Sequence, residues 1–72
     1  MQQKLIVWYK GHSTTTIDLE AKGAVEEATR IFEEQRRAGF LPVRTEPGPL
    51  EALTSYDPLA QTIEFVVPIA GG

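Results

Sequence analysis

The residues with the most distinctive chemical potential are the last two, Gly71-Gly72. An enzyme that activates a protein's terminal carboxylate must draw the final residues through a narrow channel to a nucleotide. Side chains would block that path. Glycine has no Cβ and tolerates unusual backbone angles, so a glycine pair lets the carboxylate approach a phosphorus atom. The product would be an acyl-adenylate, open to attack by sulfur or by an amine. Pro68 ends any β-ladder that precedes it, and Pro68, Ile69 and Ala70 would thread and dock the tail.

Other residues offer less. Trp8 and Tyr9 are adjacent in a β-like run, so their side chains should face opposite ways. One is expected under a helix and the other on an open sheet face, where an aromatic suits partner binding. His12 is the one histidine and lies in turn-like sequence. With no cysteine in the chain and no acid cluster beside it, a zinc site is not expected. Ser13 and Thr14 to Thr16 supply hydroxyls without an evident base. Glu33-Glu34 reads as a solvated helix face rather than a catalytic carboxylate pair. Gly48, between two prolines, belongs to a turn and not to a phosphate loop. The chain is therefore expected not to be an enzyme and to bind no cofactor or metal.

Length and composition narrow the class. Seventy-two residues allow one domain, expected over residues 1–68 with a tail at 69–72. The absence of cysteine leaves regular structure and packing to supply stability, and favours the cytoplasm over an oxidising compartment. Met1-Gln2-Gln3-Lys4 does not open a signal peptide, and the apolar run Leu5 to Tyr9 is too short for a membrane span. The net charge of −3 argues against a nucleic-acid-binding face.

The elements that would position the tail follow from periodicity. Leu5 to Tyr9 reads as a strand, apolar on both alternations and therefore central. A turn at residues 10–13 leads to Thr14 to Leu19, with Thr15, Ile17 and Leu19 on one side, which closes a hairpin. Ala24 to Ala38 has a helical stripe of Val25, Ala28, Ile31, Phe32 and Gln35. Gly23 is the expected N-cap and Gly39 the stop. Glu26–Arg30 and Glu33–Arg37 are spaced for ion pairs. Phe40 to Arg44 should return as a strand, with Pro42 on an edge or at a bulge. Residues 45–49 form a turn, and Leu50 to Tyr56 fits either a helical turn or another strand. Thr62 to Val67 is the last strand, with Ile63, Phe65 and Val67 on one face.

Hairpin, helix, strand, turn-rich link and final strand predict an α+β fold. One helix would cover one face of a mixed sheet of four to five strands, with the first and last strands parallel at its centre. That is the ubiquitin-like β-grasp arrangement, and the competing layout is a small α+β sandwich with another strand order. The run from Phe65 to Gly72 resembles the C-terminus of ubiquitin-like sulfur carriers of the MoaD and ThiS type. The resemblance implies that Gly72 is adenylated by an ATP-dependent enzyme of the ubiquitin-activating type. The carboxylate would then become a thiocarboxylate for a sulfur-acceptor enzyme. In related bacterial modifiers it would become an amide on a target-protein lysine. The alternative is a β-grasp interaction module with an inert tail, working through Trp8 or Tyr9. Neither reading involves nucleic acid or membrane.

Overall fold

The computed structural model describes residues 1–8 and 11–67. The expected tail residues Pro68, Ile69, Ala70, Gly71 and Gly72, and the candidate Tyr9, lie outside the described residues. The elements are β1 (Gln2–Val7), β2 (Ser13–Asp18), α1 (Ala24–Arg37), β3 (Leu41–Glu46), β4 (Glu51–Ala52) and β5 (Thr62–Val66).

The strands form one five-stranded sheet in the order β2-β1-β5-β3-β4. β1 and β2 make an antiparallel hairpin, and β1 runs parallel to β5, with Leu5 opposite Ile63 and Val7 opposite Phe65. β3 is antiparallel to both β5 and β4. The parallel pair at the centre explains why β1 and β5 are both rich in apolar residues. One helix packed against a mixed sheet, with the first and last strands parallel in the middle, is a β-grasp-like α+β fold.

Strand alternation assigns the two faces. Gln3, Leu5, Ile63 and Phe65 are buried beneath α1 and join Ala28, Phe32 and Ala60 at the centre of the core. Phe32 is the side chain on which the layers meet, with edge-on contacts to Phe65 at 5.8 Å and Tyr56 at 5.9 Å between ring centroids. The buried helical row is Ala24, Ala28 and Phe32, four residues apart, flanked by Ile31. Val25, expected in the stripe, is 40% exposed, because the helix turns its Ala24 row to the sheet instead.

Both helix ends follow from glycine. Gly23 is the N-cap in a left-handed conformation, and its carbonyl accepts the first helical bond, from Glu27 N–H at 3.0 Å. At the other end Gly39 has φ of 101°. Gly39 N–H donates to the Arg36 carbonyl and Phe40 N–H to the Gln35 carbonyl, which is a Schellman closure. The expected ion pairs are replaced. Arg30 bridges Glu27 at 2.6 Å and Glu34 at 2.8 Å rather than Glu26, and no Glu33–Arg37 pair occurs among the described residues. The bond to Glu27 raises the Arg30 pKa, but Arg30 is already charged at all ordinary pH values.

Pro42 lies neither on an edge nor at a bulge. It is buried opposite Phe65, and the register shift comes later, between Arg44 and Glu46. Its carbonyl accepts from Leu53 N–H at 2.9 Å, so its missing donor faces the β4 side of the strand. The reciprocal bond cannot form there, and β4 ends after two residues. The ambiguous stretch from Leu50 to Tyr56 thus resolves into a short edge strand and a loop.

That loop is held by a buried amide. Gln3 Nε2 donates to the Ala60 carbonyl at 2.9 Å and to the Asp57 carbonyl at 3.1 Å. Its Oε1 accepts from the Tyr56 hydroxyl at 2.7 Å. Every capacity used by Gln3 points at the segment leading into β5. The Gln3→Leu variant keeps the volume but leaves the Tyr56 hydroxyl without its partner and weakens the carbonyls. It should lose about 2–3 kcal/mol in urea unfolding. Adding Tyr56→Phe should then cost less than Tyr56→Phe alone, because the orphaned hydroxyl is removed as well.

Burial raises the Tyr56 pKa above the ordinary 10.0. The folded chain therefore holds this proton to higher pH than the unfolded chain does. Its contribution to stability is complete below the unfolded value and is lost as pH rises through the folded one. Phenolate absorbance should show a late-titrating step that is missing in the Tyr56→Phe variant.

Candidate functional site

The face of the sheet opposite α1 is uncovered in the described structure. Lys4, Ile6 and Trp8 from β1 and its extension lie on it, beside Thr62, Glu64 and Val66 of β5. Leu41 and Val43 stand opposite Val66 and Glu64 and complete it on the β3 side. Ile6, Val43 and Val66 are half-buried by their neighbours, and Leu41 is exposed. The result is an apolar strip around one carboxylate, Glu64.

Trp8 is the largest group on this face and is 46% exposed. It follows the last β1 residue, yet its backbone N–H still donates to the Phe65 carbonyl at 3.1 Å. That bond continues the alternation of Lys4, whose N–H donates to the Gln61 carbonyl, and keeps the indole on the open side. The indole Nε1–H donates to Glu64 Oε1 at 2.6 Å. Its ring stacks on His12 with centroids 4.3 Å apart. Trp8 is thus held on both sides while one surface remains open to solvent. An aromatic with a fixed rotamer loses little freedom on binding, which suits it as an anchor.

The β5 strand leaves the sheet at the same end. Leu41 is opposite Val66, Val7 is opposite Phe65, and Val67, which follows, is 56% exposed. The segment leading towards Pro68 therefore begins beside Trp8 and Leu41. Val67 was expected on the core face with Ile63 and Phe65. It lies beyond the last ladder pair and is not held there.

Among the described residues, the remaining candidates are not brought together into one cluster. His12 is exposed, with Thr14 Oγ1 3.5 Å from its Nε2 and Trp8 beneath its ring. Among the described residues no three His, Cys, Asp or Glu side chains are grouped to hold a metal. A shallow polar groove runs along residues 51–57. Arg44, largely buried, approaches two residues that line it, Asp57 at 3.5 Å and Glu51 at 3.4 Å. These are structural pairs that tie the loop to β3. The sequence reading missed the roles of Arg44, Glu64 and Gln3. Glu64 has a signal in the sequence, as the one charged residue of the final strand.

Comparison with protein-family models, with curated proteins and with solved structures returned no match. Among the described residues no helix is long and apolar enough to cross a membrane.

The open position of Trp8 separates binding from folding. Trp8→Ala should lower stability by no more than about 1 kcal/mol in urea titration. A loss several times larger would show that the indole supports the sheet rather than presenting a surface.

Proposed function

We propose that this chain is a non-enzymatic, cytoplasmic ubiquitin-like carrier whose Gly72 carboxylate is activated by a partner. An ATP-dependent adenylyltransferase of the ubiquitin-activating type docks on the open sheet face around Trp8. It draws in the segment from Pro68 to Gly72, and Gly72 attacks the α-phosphorus of ATP with loss of pyrophosphate. The acyl group then passes to a sulfide-level sulfur nucleophile, giving a thiocarboxylate for a sulfur-acceptor enzyme, or to a lysine amine of a target protein, giving an amide, and AMP leaves in either case. This chemistry requires Gly72 to be the last residue when the enzyme acts.

The observation that carries this reading is the geometry at the end of β5. The exposed Val67 precedes Pro68-Ile69-Ala70-Gly71-Gly72 and starts at the end of the sheet that bears Trp8 and Leu41. A partner seated on that strip would meet the base of the tail. A β-grasp-like fold agrees with a substrate role. The second reading is an interaction module with an inert tail, favoured by the exposed, braced Trp8 alone.

Intact-mass spectrometry after incubation with ATP, a sulfur donor and a lysate of the source organism distinguishes them. The carrier should gain the mass of sulfur replacing one oxygen, or appear in conjugates on lysines of other proteins. Appending one bulky residue after Gly72 should abolish either product and leave the fold intact. An unmodified chain in a lysate that supports such chemistry, with binding that depends on Trp8 but not on Gly71-Gly72, would establish the interaction module instead.

A further inference from the structure

The two edges of the sheet are built differently. β4 is two residues long, carries Glu51, and is bracketed by Pro47, Pro49 and Pro58. Short strands, charges and prolines are the usual protection of an edge against further pairing. β2, at the other edge, has six residues, Ser13-Thr14-Thr15-Thr16-Ile17-Asp18, without proline or lysine and with one charge at its end. Threonine and isoleucine favour extended backbone.

The backbone groups that β2 leaves open can be assigned. Leu19 N–H donates to the Met1 carbonyl, so the odd residues of β2 face β1. Strand alternation then turns the N–H and C=O of Thr14, Thr16 and Asp18 away from the sheet. The Asp18 carbonyl is already used, accepting from Ala21 N–H at 3.0 Å. Thr14 and Thr16 have no partner for these backbone groups among the described residues.

We propose that the β2 edge pairs with the β2 edge of a second copy of this chain, antiparallel, with Thr15 on the two-fold axis. In this register Thr14 of one copy stands opposite Thr16 of the other, and each pair exchanges both backbone bonds. All the open groups of Thr14 and Thr16 are then satisfied in both copies. Centring the axis on Thr16 instead would pair Thr14 with Asp18, whose carbonyl is occupied. The Thr15 register also sets His12 of each copy opposite Asp18 of the other, on the open face of the joined sheet. The Asp18 Oδ1 accepts from Glu20 N–H, which leaves the second carboxylate oxygen for the imidazole. This imidazole–carboxylate pairing thus occurs twice and favours the register. Both helices lie on the same side, and the joined strip around each Trp8 remains uncovered.

The full chain should show a concentration-dependent mass in sedimentation equilibrium, rising from 8.0 kDa towards twice that value by millimolar concentration. Thr16→Pro removes an outward donor without breaking a bond to β1, and Thr15→Glu places like charges against each other on the axis. Either should weaken association at least tenfold while the circular dichroism spectrum is unchanged. The chain has no cysteine of its own, so cross-linking tests the register even if Thr16→Pro fails to fold. The Thr15→Cys variant brings two Cβ atoms within about 5 Å and should oxidise readily to a disulfide dimer. Ser13→Cys, with its sulfurs about 13 Å apart, should not. A mass that stays at the monomer value throughout would overturn the proposal and leave the edge to an extended segment of another protein. So would a dimer that survives Thr15→Glu, or Ser13→Cys cross-linking as fast as Thr15→Cys.

Discussion

The parallel pairing of β1 with β5 is the constraint on which the rest of this small domain depends. Parallel strands cannot be joined by a tight turn, so everything between them is a crossover. The hairpin, α1, β3, β4 and the loop after them all lie on that path. Once the pair forms, Leu5, Ile63 and Phe65 present one apolar surface, and α1 has a single place to set Ala28 and Phe32. With so little surface to bury, a chain of this length depends on the apolar residues that both central strands turn towards α1.

The crossover is closed by polar contacts as well as by burial. A glutamine in the second strand position would ordinarily be expected at the surface. Here Gln3 is fully buried, because the loop of residues 56–60 returns its own carbonyls and a phenol to meet it. Thr62 adds a second tie, donating to Glu46 Oε1 at 2.7 Å where the β3 ladder shifts register. These bonds are specific in direction, whereas apolar packing alone would tolerate a slip of β5 along β1. They therefore set where β5 ends and from which end of the sheet the following residues start.

The domain divides its surface by function. The helix side is sealed, and β4 with its prolines blunts one edge. The other edge keeps backbone groups open on β2, and the uncovered face gathers Ile6, Trp8, Val43 and Val66 around Glu64. Bracing by Glu64 and His12 gives Trp8 one orientation without burying it. In the proposed carrier role such a fixed surface would supply recognition, while the chemistry would take place at the tail.

Much of the architecture was legible from local sequence. The 2-residue and 3.6-residue periods located the hairpin, α1 and β5, glycines at 23 and 39 marked the helix ends, and the apolar first and last strands suggested a parallel centre. These features follow from backbone sterics and from alternation, which act over a few residues. The glycine pair likewise suggested its chemistry from residue type alone. The tertiary structure decided what depends on residues far apart in the chain. It buried Gln3, chose Ala24 over Val25 for the helix interface, seated Pro42 inside the sheet and gave Trp8 its partners on β5 and in the turn. Each of these depends on which distant group arrives opposite, and periodicity carries no record of that.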